Sequence, residues 1–139
     1  MIKSEELFNF YSHLFGMIAA IIGTIFLLNV ASDSISMIVI AAIYGLSISF
    51  LLLASSLYHF FKKQDNELSF WRKMDRLAIF FMIAGSYTPV CYFFLDDSWR
   101  LPMISIQWGL VAFGLISQIF FPRAPRMIYA VIFMIMGWL

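Results

Sequence analysis

Two apolar segments of this sequence each carry chemically capable side chains at one end. The first segment ends with Ser55 and His59, and the second begins at Asp75. Because Ser55 and His59 are four residues apart, they lie one turn apart on the same face of a helix. A histidine and a carboxylate are costly to keep at a membrane face, and a metal ion is the commonest partner that they share. The spacing therefore predicts a site that contains Ser55, His59 and Asp75.

Each of these residues also has a purely structural interpretation. His59 is then an interfacial histidine among lipid headgroups, one turn from a serine used for helix packing. Asp75 stands among basic residues, where a carboxylate is explained as an N-terminal helix cap or as a surface ion pair. Placing both groups at one end of two neighbouring helices favours the functional interpretation, because each supplies what the other needs as a metal co-ligand.

A second polar cluster precedes the first apolar segment. Glu6, Asn9 and His13 are spaced by three and four residues, which places them along one stripe of an amphipathic helix. The simplest interpretation is a helix that lies on the membrane surface. The alternative is a polar network packed against the mouth of a helix bundle. The sequence leaves the role of all three residues open.

The composition determines the class of the protein. Of its 139 residues, 63% are hydrophobic and only 12% are charged, which excludes a soluble domain of this length. No basic run is interleaved with aromatic residues, so no nucleic-acid partner is indicated. The single cysteine, Cys91, excludes an intrachain disulfide. We expect residues 1–139 to form one all-α domain, a multi-pass transmembrane helix bundle whose partners are membrane lipids.

Hydropathy divides the chain into five apolar segments. They cover residues 14–30, 35–61, 77–95, 101–121 and 127–139. The first four are long enough to cross a hydrocarbon core of about 30 Å. The fifth reaches only about 20 Å at the rise of an α-helix. We therefore expect four complete spans followed by a truncated fifth, in a chain that is incomplete at its C-terminus.

The lysines and arginines predict the orientation of this bundle. If the N-terminus is cytoplasmic, eight bases fall on the inner side and only Arg100 falls on the outer side. The inner bases are Lys3, Lys62, Lys63, Arg72, Lys73, Arg76, Arg123 and Arg126. Basic residues accumulate on the cytoplasmic side of membrane proteins. We therefore expect a cytoplasmic N-terminus, with His59 and Asp75 at the cytoplasmic membrane face.

Five motifs follow one another along the chain. They are Glu-Glu-x-x-Asn-x-x-Ser-His-x-x-Gly at residues 5–16, Ser-x-x-x-His at 55–59, Asp75 followed by Ala78-Ile79, Gly-Ser-Tyr-Thr-Pro at 85–89, and Arg126 before Gly137-Trp138. In type and order they resemble the motifs of hemolysin III proteins, the bacterial branch of the progestin and adipoQ receptor superfamily. The resemblance covers essentially the whole chain. It implies a seven-helix protein with a cytoplasmic N-terminus in a cell membrane, with the plasma membrane of a bacterium as the expected location.

The resemblance also implies a zinc ion at the inner face and machinery that hydrolyses an amide bond in a lipid such as ceramide. In the superfamily, the residue matching His59 binds zinc together with two histidines of a His-x-x-x-His motif in the seventh helix. The residue matching Asp75 contacts the metal through a water molecule that it orients, and the residue matching Ser55 lies beside it. Zinc lowers the pKa of water and polarises the carbonyl group.

The histidine count limits what these residues do by themselves. Only His13 and His59 occur in this sequence, whereas a catalytic zinc takes three protein ligands. We therefore expect an incomplete zinc site and an inactive chain here, and a zinc-dependent lipid hydrolase in the complete form. The alternatives are a cytolysin that permeabilises membranes and a noncatalytic protein of membrane homeostasis. The identity of a lipid substrate and the oligomeric state stay open.

Overall fold

The computed structural model describes residues 4–64 and 67–139. Within these ranges the chain is helical and contains no strand. The helices are α1 (Ser4–Val30), α2 (Ile35–Phe61), α3 (Phe70–Phe94), α4 (Asp97–Phe120) and α5 (Arg126–Trp138). The first four are long and apolar enough to cross a membrane. The predicted all-α transmembrane bundle is thereby confirmed, while its orientation stays a prediction. Lys3, one of the bases on which that prediction depends, lies outside the described residues.

Helix α3 is the centre of the bundle. Helix α1 packs against α2, α2 packs against α3, and α3 also contacts α4 and α5. Phe80 and Ala84 of α3 form the hydrophobic core with Val111 of α4 and with Tyr129 and Met136 of α5. Because α3 touches both α2 and α5, it lies between the histidine at the end of α2 and the first turns of α5.

Glycines allow the close approach of neighbouring helices. A Cβ at Gly45 would overlap the Thr24 side chain of α1, and a Cβ at Gly85 would overlap the Ser47 side chain of α2. Thr24 and Ser47 each donate their hydroxyl to the carbonyl four residues earlier, at 2.7 Å in both cases. These hydroxyls are therefore satisfied within their own helices, as expected for small polar residues in membrane spans.

Helix α3 begins at Phe70, earlier than the apolar segment that starts at residue 77. Its N-cap is Ser69, which has an extended backbone and whose Oγ accepts a hydrogen bond from the Arg72 amide at 3.3 Å. Asp75 lies in the second helical turn, so the interpretation of Asp75 as the helix cap is wrong. Basic side chains lower the local hydropathy but are good helix formers. A helix start assigned from hydropathy therefore lies after the true start of α3.

Helix α1 is continuous from Ser4 to Val30, so the polar stripe of Glu6, Asn9 and His13 belongs to the first apolar helix. This part of α1 packs against the end of α2. The Ser56 hydroxyl donates to the Phe10 carbonyl at 3.2 Å. The expectation of a separate helix on the membrane surface is therefore wrong, and the alternative of a network packed against the bundle describes the structure.

Successive helices run in opposite directions, which gathers the basic residues at one end of the bundle. We call this the basic end: the starts of α1, α3 and α5 and the ends of α2 and α4. The opposite end carries Asp96, Asp97 and Arg100, and Arg100 forms an ion pair with Asp97 at 2.8 Å. The candidate site residues all lie at the basic end.

Candidate functional site

His59 lies in the last turn of α2 and is held by a carboxylate of α1. Its Nδ1 is 2.6 Å from Oε2 of Glu6, and the Lys62 Nζ donates to the other oxygen of Glu6 at 2.5 Å. Only 17% of the His59 side chain and 14% of the Glu6 side chain are exposed. Limited access of water strengthens both interactions. One carboxylate therefore joins the start of α1 to the end of α2.

The contact with Glu6 defines the state of the His59 ring. Because an ionised carboxylate only accepts hydrogen bonds, the hydrogen between the two groups is carried by Nδ1. In a neutral ring Nε2 then has a free lone pair. Histidines that bind metals commonly have this arrangement, in which the second nitrogen donates to a carboxylate. In this arrangement Nε2 is the ring nitrogen that is left available for a further partner.

Asp75 faces this histidine from the second turn of α3. Its carboxylate lies near the Ser55 hydroxyl and interacts electrostatically with His59, His13 and Arg76. Ser55 and His59 occupy successive turns of one face of α2. The structure thus brings together Ser55, His59 and Asp75, the three residues selected from the sequence.

His13 adds a second imidazole to this cluster. Its ring stacks on that of His59, with the centroids 5.5 Å apart and the planes inclined by 10°. Asn9, the third member of the polar stripe, uses its backbone carbonyl to accept from the Ser12 hydroxyl at 3.0 Å. Two of the three stripe residues, Glu6 and His13, therefore contact His59 directly.

Contacts among the described residues on both sides of the link between α2 and α3 fix the two helix ends that carry the cluster. The rings of Phe61 and Trp71 stack with centroids 4.9 Å apart. Burial alone would raise the pKa of Glu67, but the Ser69 hydroxyl, the amides of Lys63 and Gln64 and the positive charge of Lys63 lower the pKa below its usual value. Glu67 is thus an ionised anchor for the end of the link.

Comparison with known proteins identifies the family of this chain. All 139 residues match the family model described as Haemolysin-III related. The chain belongs to the hemolysin III family. The resemblance drawn from the sequence motifs is thereby confirmed, and a hemolysin III protein with four long apolar helices is a membrane protein.

Three relatives illustrate the range of the family. The Hemolysin-3 homolog of Bacillus subtilis is 32% identical over 139 residues, which cover 97% of this chain and 64% of the relative. Hemolysin-3 of Bacillus cereus is 34% identical over 137 residues, 97% of this chain and 62% of the relative. The human Monocyte to macrophage differentiation factor is 32% identical over 89 residues, 61% of this chain and 37% of the relative. The chain spans less than two thirds of the length of the Bacillus relatives. No solved structure matches it.

The donors of this hemolysin III chain fit a zinc ion only in part. His59 offers a free Nε2 and has the supporting carboxylate of a metal-binding histidine. However, within residues 4–64 and 67–139 no group of three or more His, Cys, Asp or Glu side chains could hold a metal ion. Among the described residues, the histidine nitrogen and the carboxylates at this end do not amount to a complete metal site.

Two features of the site were not predicted from the sequence. The first is the ion pair between Glu6 and Lys62, which fixes the carboxylate that holds His59. The second is a pocket lined by arginines on the other side of Asp75. The three- and four-residue spacing of Glu6, Asn9 and His13 was the only signal for the first. The bases that line this pocket come from the end of α2, from α3 and from α5, so no local sequence pattern predicted the pocket.

Proposed function

We propose that this chain contributes His59, Asp75 and Ser55 to a zinc-dependent hydrolase site that acts on an amide bond of a membrane lipid. The site lies at the basic end, which we place at the cytoplasmic face of a plasma membrane. The observation that supports the proposal is the convergence of these three side chains from two helices, with Glu6 bound to Nδ1 of His59. Residues of these types provide a metal ligand, a proton acceptor and a hydrogen-bonding hydroxyl.

Each of these residues, together with Glu6, has its own role in the proposed reaction. His59 would hold the metal through Nε2, and Glu6 holds the ring in place. Asp75 holds a water molecule and accepts its proton as a general base, and Ser55 keeps the carboxylate oriented. Zinc, when bound, lowers the pKa of water and polarises the carbonyl of the amide. The apolar surroundings of the bundle give a lipid substrate access to the site from the membrane.

The proposal requires metal donors outside these 139 residues, because a catalytic zinc takes three protein ligands and His59 is one of them. A His-x-x-x-His motif encoded beyond codon 139 would supply them. Reading the gene past this point is the first test. If no such motif follows, the metal part of the proposal fails.

Zinc analysis of the complete gene product, purified from membranes, tests the role of His59. We expect His59→Ala to lose the metal and His13→Ala, which removes the neighbouring ring, to retain it. Unchanged zinc in His59→Ala would reject this histidine as a ligand. Hydrolysis of a ceramide by Asp75→Asn should fall by about 10²-fold or more, the usual effect of losing a general base. Full activity of this variant would reject Asp75 as that base.

A second function, membrane permeabilisation, is favoured by the names of two relatives, Hemolysin-3 and a Hemolysin-3 homolog. The two functions respond differently to the same variants. Red-cell lysis that survives both His59→Ala and Asp75→Ala would favour permeabilisation. Lysis that disappears in both variants would favour hydrolysis of a membrane lipid.

A further inference from the structure

A pocket of 400 Å³ opens at the basic end between α2, α3 and α5. We call it the basic pocket; its polar lining consists of Tyr58, Lys62, Arg72, Asp75, Arg76, Arg126 and Tyr129. Four of these side chains are bases and one is a carboxylate. The lining therefore has an excess of positive charge.

The arginines of the basic pocket are close enough to repel one another. Arg72 interacts unfavourably with the charges of both Arg76 and Arg126. Within the part of the chain that the structure describes, neither Arg76 nor Arg126 forms an ion pair with a carboxylate. Glu67 and Asp75 offset part of this charge, through Arg72 and Arg76 respectively, and the like charges that are left are stabilised by an anion. The charge of the pocket thus favours an anionic ligand.

Tyr129 provides a second and independent indication of a ligand. Only 3% of this residue is exposed, and its hydroxyl has no hydrogen-bond partner among the described residues. The Arg76 guanidinium lies over its ring at 4.3 Å from the centroid. An unsatisfied buried hydroxyl is costly. A ligand with acceptor oxygens in the basic pocket would relieve that cost.

The start of α5 adds a further attraction for an anion. Its first residue is Arg126, and no side chain caps the helix. Uncapped amides and the helix dipole favour negative charge at this position. The guanidinium of Arg126 and the N-terminus of α5 thus act in the same direction.

An apolar cleft adjoins the basic pocket and shares Tyr129 with it. The cleft has a volume of 780 Å³, and Phe113, Phe120, Ile128 and Ile132 contribute to its lining. It lies between the end of α4 and the start of α5. A soluble anion would not bind to this apolar surface, whereas a phospholipid has a phosphate for the basic pocket and acyl chains for the cleft. The pairing of the two cavities therefore distinguishes a lipid from a free phosphate.

We propose that the basic pocket binds the phosphate of an anionic phospholipid from the leaflet at the basic end, with an acyl chain in the apolar cleft. Guanidinium groups bind phosphate oxygens in pairs of parallel hydrogen bonds. Basic pockets between transmembrane helices are known to accept anionic headgroups. This binding goes beyond the proposed hydrolysis and needs neither His59 nor a metal ion, although Asp75 lines the pocket as well.

Lipid binding to the purified chain in a neutral detergent tests the proposal. Native mass spectrometry gives dissociation constants for phosphatidylglycerol and for phosphatidylcholine with the same acyl chains. We expect tighter binding of phosphatidylglycerol to the wild type. The double variant Arg76→Gln with Arg126→Gln should weaken phosphatidylglycerol binding by about 30-fold and weaken phosphatidylcholine binding less, because choline offsets the charge of its phosphate. Lys73→Gln is the matched control, because Lys73 lies on the same turn of α3 but does not line the pocket.

The other results would overturn the proposal. Equal affinities for the two lipids would show that the headgroup charge is not recognised. Displacement of the lipid by inorganic phosphate without acyl chains would identify a soluble anion as the ligand. An equal loss in Lys73→Gln would indicate a nonspecific surface charge. Arg126→Gln alone guards against misfolding of the double variant, because Arg126 is exposed; it should weaken phosphatidylglycerol binding about fivefold, and no change would also overturn the proposal.

Discussion

Glu6 of α1 and His59 of α2 are joined by a 2.6 Å contact between Oε2 and Nδ1, although 53 residues separate them in the sequence. The same carboxylate accepts from Lys62, one turn further along the chain. Glu6 thus sets both the position of α1 against α2 and the orientation of the imidazole. A residue that does not itself reach the proposed reaction centre determines which nitrogen of His59 is available there.

Substitution of Glu6 measures the strength of this contact. Glu6→Gln keeps the size of the side chain but removes its charge, so it should lower the free energy of unfolding by about 1.5–3 kcal/mol, the value for a hydrogen bond to a charged group. Thermal unfolding in detergent, followed by circular dichroism, gives the difference. Glu5→Gln is the control, because Glu5 is an exposed neighbour on the same helix. A similar loss in both variants would contradict the assignment.

The pH dependence of stability should report on Glu67. Its folded pKa lies below the model-compound value of 4.5. The ionised carboxylate therefore stabilises the folded protein above pH 4.5, and this contribution is lost as the pH falls through the folded pKa. Glu67→Gln should lower the unfolding temperature at neutral pH, and the difference from the wild type should shrink in acid. A difference in unfolding temperature that stays constant with pH would contradict the expected loss of this stabilisation in acid.

The contact of α2 with α3 should depend on Gly85. A Cβ at this position meets the Ser47 side chain, and a Cβ at Gly109 meets nothing within 4 Å. We expect Gly85→Ala to lower the free energy of unfolding by about 1–3 kcal/mol through overpacking. Gly109→Ala, in an open helical position, should raise it by about 0.5–1 kcal/mol. Chemical or thermal unfolding of the two variants under the same conditions gives both changes in the free energy of unfolding. Changes of the same sign would contradict the close approach of α2 and α3 at Gly85.

The apolar pattern predicted the architecture well, because membrane spans are defined by length and hydropathy. The bounds of α2, Ile35–Phe61, coincide with the predicted segment 35–61. The start of α3 was missed, since Arg72, Lys73, Asp75 and Arg76 occupy its first turns. Ser69 was the signal available there, because serine is a strong N-cap residue.

The candidate site was predictable only in its local parts. Helical spacing placed Ser55 beside His59, and the order of the spans brought Asp75 to the same end. The pairing of Glu6 with His59 depends on how α1 packs against α2, which no pattern within either segment encodes. The stacking of Arg76 on Tyr129 likewise joins residues of α3 and α5 that share no sequence signal.

Two buried glutamines of α4 should respond in opposite ways to the same substitution. Gln107 is fully buried; its Nε2 donates to the Met136 carbonyl of α5 at 2.8 Å, while its Oε1, like that of Gln118, has no partner among the described residues. Gln118 is 4% exposed, and neither its amide nitrogen nor its amide oxygen has a partner among the described residues. Gln107→Leu should lower the free energy of unfolding by about 0.6–1.7 kcal/mol, the range for a hydrogen bond between membrane helices. Gln118→Leu should be neutral or stabilising, because it removes polar groups that are buried without partners.

Unfolding of both glutamine variants under the same conditions tests this contrast. Because the two substitutions change volume and polarity equally, the effect of hydrophobicity cancels in their difference. What is left is the interhelical hydrogen bond of Gln107, which attaches the second half of α5 to α4. Equal stabilisation by both leucines would mean that this bond adds nothing to the packing of α5. Destabilisation by Gln118→Leu would mean that its amide is satisfied by a partner outside the described residues.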